Sequence, residues 1–201
     1  KPNWAGESCD VCSNGWTGAD CDVCPPNREG DNCDTCSTDF VGDFCLPKGM
    51  IPVVPGTFVM GSPEDELGRK GDETQHEVTL THHFAMSQTE VTQAQWMLLV
   101  DDNPSFSPSC GVDCPVERLT WWDALTYLNA LSVDRGLTPC YTLHGCEEEF
   151  PGLKCTEVSV ASPDGSPYGC EGFRLPTEAE WEYTYRAGTT TAYSNGANED
   201  T

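Results

Sequence analysis

The stretch Phe173-Arg174-Leu175-Pro176-Thr177-Glu178-Ala179-Glu180-Trp181-Glu182-Tyr183 has a clear local grammar. Pro176 ends an extended segment, and Thr177 with Glu180 three residues on forms a capping box. The Thr177 hydroxyl accepts an orphan N–H of the first helical turn while the Glu180 carboxylate reaches back to the cap. Ala179, Trp181 and Glu182 continue as a short helix, with Gly188 just past its expected end. On this reading Arg174, Leu175, Pro176, Thr177, Glu178, Glu180 and Trp181 are scaffold, with Thr177 as cap and Trp181 in the core. One capped helix is silent about function, so its meaning depends on the rest of the chain.

The chain of 201 residues has room for one or two domains. Ten basic against 33 acidic residues give a net charge of -23, a field that repels phosphate backbones and excludes nucleic acid as a partner. Six Trp, seven Phe and six Tyr supply core-forming surface, which argues against charge-driven disorder. Thirteen cysteines are too many for a reducing cytosol unless they bind metal. No apolar run approaches the roughly 20 residues that span a bilayer; Trp96 to Val100 is broken by Asp101. An extracellular, cell-surface or periplasmic location is expected, with the natural N-terminus upstream of Lys1.

Residues 1–49 repeat with a period of twelve: Cys9, Cys21, Cys33 and Cys45, then Cys12, Cys24 and Cys36, with Gly6, Gly18, Gly30 and Gly42 in step. Each unit has too few large apolar side chains to bury a core, so cross-links must replace it. Zinc knuckles are the competing reading. The uniform array, its odd number of cysteines and its lack of histidine favour disulfides.

Composition changes after Leu46-Pro47-Lys48-Gly49. Phe58-Val59-Met60, Glu77 to Leu80 and Phe84-Ala85-Met86 read as strands. The acidic loop between Ser62 and Glu77 lacks the alternating carboxylate spacing of a calcium loop and reads as solvated. His82 and His83 are adjacent, face opposite ways and read as surface residues. Thr92 with Gln95 opens a helix that Asn103-Pro104 is expected to stop. Cys110 and Cys114 flank a tight loop that a disulfide could close. Thr120 caps a further helix whose apolar face is Trp121, Ala124, Leu125, Leu128 and Leu131, read as core, with Gly136 at its end.

Cys140, Cys146, Cys155 and Cys170 lie in a Gly-, Pro- and Ser-rich stretch with little helical or strand pattern. Four cysteines provide two staples, and three connectivities remain open. Thr189 to Tyr193 reads as extended.

Two resemblances follow. The repeat resembles the second half of EGF-like and laminin-type EGF modules, which implies the disulfides Cys12–Cys21, Cys24–Cys33 and Cys36–Cys45 and leaves Cys9 to a mate before Lys1. Four later blocks, in order, resemble the formylglycine-generating enzyme (sulfatase-modifying factor) family. They are Pro55 to Ser62, Gln88 to Trp96, Cys114 to Ala124, and Arg174 to Tyr183 with Arg186-Ala187-Gly188. The resemblance implies an α+β, irregular, C-type-lectin-related domain over residues 50–201, truncated at its C-terminus, after an EGF-like stalk over residues 1–49.

Members of that family convert a sulfatase cysteine in a Cys-x-Pro-x-Arg segment to formylglycine, using oxygen and copper(I) held by two cysteines. By position none of the cysteines here matches that pair, so no catalytic, cofactor or metal residue carries over. The expectation is an exported binding or structural module whose stalk presents a non-catalytic domain to a protein or glycan ligand, or to sister subunits. The alternative is a formylglycine-generating oxidase whose catalytic segment lies beyond Thr201. No cofactor is expected in this chain; calcium is compatible with the family, and copper belongs only to the oxidase reading. A companion segment or chain is expected to cover Trp181, and exposure of Trp181 to solvent would argue against it.

Overall fold

Local signals dominate the secondary structure. The computed structural model describes residues 4–5, 11–12, 28–29, 35–37, 40–41, 45–163 and 165–194. In chain order the strands are β1 (Trp4–Ala5), β2 (Val11–Cys12), β3 (Arg28–Glu29), β4 (Thr35–Cys36), β5 (Phe40–Val41) and β6 (Leu46–Pro47). They continue with β7 (Met50–Val53), β8 (Thr57–Met60), β9 (His76–Thr79), β10 (Phe84–Ser87), β11 (Tyr141–His144) and β12 (Glu157–Val160). The α-helices are α1 (Gln93–Met97), α2 (Trp121–Asp134) and α3 (Glu178–Arg186). The architecture is a mixed α/β arrangement in which the described strands pair two by two. The chain divides into two compact units, one of Lys1–Met50 with Ser87–Phe173 and the other of Ile51–Met86 with Arg174–Thr201.

In the first unit, the repeat forms short antiparallel hairpins, β1–β2, β3–β4 and β5–β6. They start at Trp4, Arg28 and Phe40, at multiples of the twelve-residue period, and Cys12 and Cys36 hold the same register opposite Trp4 and Arg28. Cys36 is bonded to Cys45. Phe40 and Cys45 are both buried. Cys9, Cys21, Cys24 and Cys33 lie outside the described residues, and with them the expected bonds to Cys21, Cys24 and Cys33.

The core of this unit is built on α1 and α2. Trp96 has no exposed surface, stacks on Tyr127 at 5.0 Å and touches Phe150 at 5.6 Å. Its indole N–H donates to the Asp102 carbonyl at 2.7 Å, which satisfies the one polar group of a buried ring. Val100, Val91, Leu99, Val116, Leu119 and Leu131 complete the cluster. Burial pushes the Tyr127 hydroxyl up to about 12.

Both helices start on capping boxes, Thr92 with Gln95 and Thr120 with Asp123. Helix α1 ends at Met97, well before the expected stop at Asn103. Asn103 turns back instead, donating its amide to Gln93 Oε1 at 2.9 Å. Helix α2 closes in a Schellman turn: Leu137 N–H donates to Ser132 O and Gly136 N–H to Val133 O, with Gly136 at φ +69°. Along α2 the fully buried residues are Asp123, Leu125 and Ser132, whereas Trp121, expected in the core, is 52% exposed. Its place at the first helical position leaves it beside the incoming chain, ahead of the buried stripe.

The cysteine-rich insertion is more regular than its composition suggests. β11 and β12 pair antiparallel from Tyr141↔Val160 to His144↔Glu157. The Asn129 side chain on α2 donates to Tyr141 O at 2.7 Å and accepts Tyr141 N–H at 3.0 Å, tying the hairpin to the helix. Alternation of Tyr141 with Leu143 and of Val158 with Val160 is the signal for these strands, obscured by the flanking Gly, Pro and Ser.

In the second unit β8 and β9 pair antiparallel from Thr57↔Thr79 to Met60↔His76. β7 pairs with β10. Gly61 follows β8 at φ +94°, where an added Cβ would lie 2.8 Å from the Thr74 carbonyl, so glycine is required. His82 and His83 are exposed, as expected of surface residues. Thr189 to Tyr193, expected to be extended, is irregular and bent instead, with Thr189 N–H and hydroxyl both on Arg186 O.

Candidate functional site

Helix α3 and its lead-in are the segment the sequence marks most strongly. Thr177 caps it as expected, and Glu180 is the side chain that the helix buries, at 1% exposed. Glu180 receives the Arg174 guanidinium in a bidentate pair, Nη1 to Oε2 at 2.8 Å and Nη2 to Oε1 at 2.7 Å. Thr177 N–H adds a third bond at 2.8 Å. Burial works to raise the Glu180 pKa, but the Arg174 and Thr177 hydrogen bonds and the Arg174 charge outweigh it and hold the carboxyl below its ordinary value.

The next turn of α3 grips the β8 end of its own unit. Glu182 Oε1 accepts Gly61 N–H at 2.8 Å and Arg186 Nε–H at 2.8 Å, while Arg186 Nη2 donates to Gly61 O at 2.9 Å. The Tyr183 hydroxyl donates to Val54 O at 3.3 Å and its ring packs edge-on against Phe58 at 5.3 Å. The helix ends at Ala187, which takes the left-handed turn itself at φ 47°, with Gly188 following.

Trp181, expected in the core, is 52% exposed and lies in parallel stack on the half-exposed Tyr185, with ring centroids 5.0 Å apart. Buried Glu180 and outward Trp181 are adjacent, and a helix turns successive residues by about 100°. The salt bridge fixes which of them faces inward. No described residue of this chain therefore encloses Trp181, and the expected companion segment or chain concerns residues outside those described.

The cysteines form Cys36–Cys45, Cys110–Cys114, Cys140–Cys170 and Cys146–Cys155. Of the three connectivities open in the insertion, the chain uses the nested one. Every cysteine whose side chain is described is thus oxidised, and these residues offer no thiolate pair for copper(I). Among the described residues no three His, Cys, Asp or Glu side chains converge as metal ligands. No described helix is long and apolar enough to cross a membrane. Sequence reasoning missed the Arg174–Glu180 and Glu182–Arg186 pairs and the inward role of Asp123, although Asp123 occupies the third position of a capping box.

This is a small mixed α/β domain, braced by disulfides and by ion pairs that hold its marker helix. A model of the sulfatase-modifying factor enzyme 1-like domain matches residues 43–201, and the chain belongs to that family. It is 40% identical over 126 residues to the chaperone protein LppX of Paenibacillus barcinonensis, covering 61% of this chain and 44% of that one. It is 56% identical over 43 residues to the formylglycine-generating enzyme of Mycobacterium tuberculosis, covering 21% of this chain and 14% of the enzyme. The chain therefore spans less than half the length of either relative. Among solved structures it is similar to Treponema denticola variable protein 1, with a TM-score of 0.50, 26% identity, and coverage of 72% of this chain and 55% of that one.

Proposed function

We propose that this chain is an exported, non-catalytic member of its family, in which an EGF-like disulfide stalk presents a lectin-related domain for adhesion, recognition or assembly. The observation that carries this reading is the state of the cysteines: the side chains described are paired with one another. Such pairing belongs to an oxidising compartment outside the cytosol. Three charged residues of α3 are likewise engaged internally, Glu180 with Arg174 of the lead-in and Glu182 with Arg186. A relative named as a chaperone is in keeping with binding in place of chemistry. The stacked Trp181–Tyr185 pair is the surface offered to a protein or glycan ligand or to a sister subunit.

The second reading, a formylglycine-generating oxidase, is favoured by the 43-residue match at 56% identity. One experiment separates the two. Full-length protein, loaded with copper(I), is incubated with a Cys-x-Pro-x-Arg peptide and the peptide thiol is followed by mass spectrometry. Persistence of the thiol supports the binding module; conversion to formylglycine establishes the enzyme.

A further inference from the structure

The loop Cys110-Gly111-Val112-Asp113-Cys114 does more than close on itself. Gln93 N–H donates to Cys114 O at 2.8 Å and Ala94 N–H to Val112 O at 2.9 Å. These are first-turn donors of α1, which have no partner inside a helix. The Thr92 hydroxyl satisfies only the Gln95 N–H. The disulfide loop is therefore an external cap for α1, the five-residue helix that carries the buried Trp96.

The same loop carries an accessible cystine, with Cys110 exposed and Cys114 half-buried. Cys110, Gly111, Val112 and Asp113 are all exposed, Val112 at 66%. Cys36–Cys45 and Cys140–Cys170 each contain one sulfur on a buried residue, Cys45 at 2% and Cys140 at 1% exposed. Exchange at either must expel or attack a sulfur screened from water, where a thiolate is poorly solvated. Cys146–Cys155 is as open, with Cys146 exposed and Cys155 half-buried, but backbone bonds hold its ends together on both sides. Glu147 and Lys154 exchange two, at 2.7 and 3.0 Å, and Thr156 N–H donates to His144 O at 3.0 Å. If opened, it recloses.

We propose that Cys110–Cys114 is a reducible clasp on α1. An external dithiol opens it by thiol–disulfide exchange while the other three described disulfides stay closed, loosening the first turn of α1 and baring a Cys-x-x-x-Cys pair. A thiolate of the dithiol attacks the exposed Cys110 sulfur, forming a mixed disulfide and releasing Cys114 as a thiolate that takes up a proton. The second thiol of the reagent then closes on the first and releases Cys110 as a thiol. Two electrons pass from the dithiol to the cystine, and the dithiol ends as its own disulfide. This device operates whether the domain binds or catalyses.

The test exposes native full-chain protein to graded dithiothreitol, quenches it with iodoacetamide and maps alkylated cysteines by mass spectrometry. Hydrogen exchange is followed in parallel on the peptide containing α1. Cys110 and Cys114 should be alkylated at least about tenfold sooner than Cys36, Cys45, Cys140, Cys146, Cys155 and Cys170. Exchange at Gln93 and Ala94 should then accelerate by about tenfold while the amides of α2 stay protected. Cys110→Ser/Cys114→Ser should show the same fast exchange without reductant. If that variant misfolds, as loss of α2 protection would reveal, the reduced wild-type protein supplies the reading. Reduction of another pair at the same dithiol concentration, or unchanged α1 amides once Cys110 and Cys114 are free, overturns the proposal.

Discussion

The carboxylate of Asp123 is fully buried and takes the Gly152 N–H on both of its oxygens, each at 2.9 Å. It also accepts Leu153 N–H at 3.0 Å and Thr120 N–H at 2.9 Å. The Thr120 hydroxyl completes the joint by donating to Leu153 O at 2.9 Å. One helix cap thus anchors the tip of the cysteine-rich insertion. Asp123→Ala leaves three backbone donors without their acceptor, so it should cost about 3 kcal/mol, measured by urea unfolding. A loss below about 1 kcal/mol would mean that water replaces the carboxylate at little cost.

Glu180 makes stability depend on pH in a defined direction. Its folded pKa lies below the ordinary value of 4.5, so the unfolded state binds the proton more readily. The stabilisation is complete above that ordinary value and is lost as pH falls through the lower, folded one. Glu180→Gln should remove this acid-side loss and cost about 3 kcal/mol at neutral pH, because Arg174 is left without its counter-charge. Unfolding curves of both proteins between pH 7 and 3 check the point; parallel curves would assign the acid loss to other carboxylates.

The nested disulfides should differ in weight. Cys140 and Cys170 are 30 residues apart, Cys146 and Cys155 only 9. Restriction of the unfolded chain gives about 3.6 kcal/mol for the longer loop and about 2.6 for the shorter. Paired Cys→Ser variants, compared by thermal unfolding, should therefore rank Cys140→Ser/Cys170→Ser as the more damaging.

Two tryptophans should respond in opposite ways. Trp96→Ala empties the centre of the core and should cost about 3–5 kcal/mol. Trp181→Ala removes an exposed ring stacked only on Tyr185 and should cost no more than about 1 kcal/mol. If the Trp181–Tyr185 pair is the binding surface, Trp181→Ala loses ligand capture while its unfolding midpoint stays near that of the parent.

Much of the local structure was legible because its causes lie within three or four residues. Thr92, Thr120 and Thr177 each announce a helix start, since a capping box joins a residue to its third neighbour and needs nothing distant. The strands at Thr57–Met60 and Phe84–Ser87 were readable from β-branched and aromatic composition. The hairpin of Tyr141–His144 with Glu157–Val160 was not, because its alternation spans four residues on each side of a Gly-rich loop. The early end of α1 also escaped notice, because Asn103 finds Gln93 only after the chain has turned.

By itself the sequence determined the repeat, the helix starts and the family. Only tertiary structure decided how Cys140, Cys146, Cys155 and Cys170 pair, that Asp123 faces inward, and that Glu180 is enclosed while its neighbour Trp181 meets solvent. The reason is range. Capping and periodicity are set by bonds between residues close along the chain, whereas burial and cross-linking depend on groups that folding brings together. Arg174 and Glu180 show both: the carboxylate caps its helix through a local bond to Thr177, and its pairing with Arg174 turns that cap into the buried side of the helix.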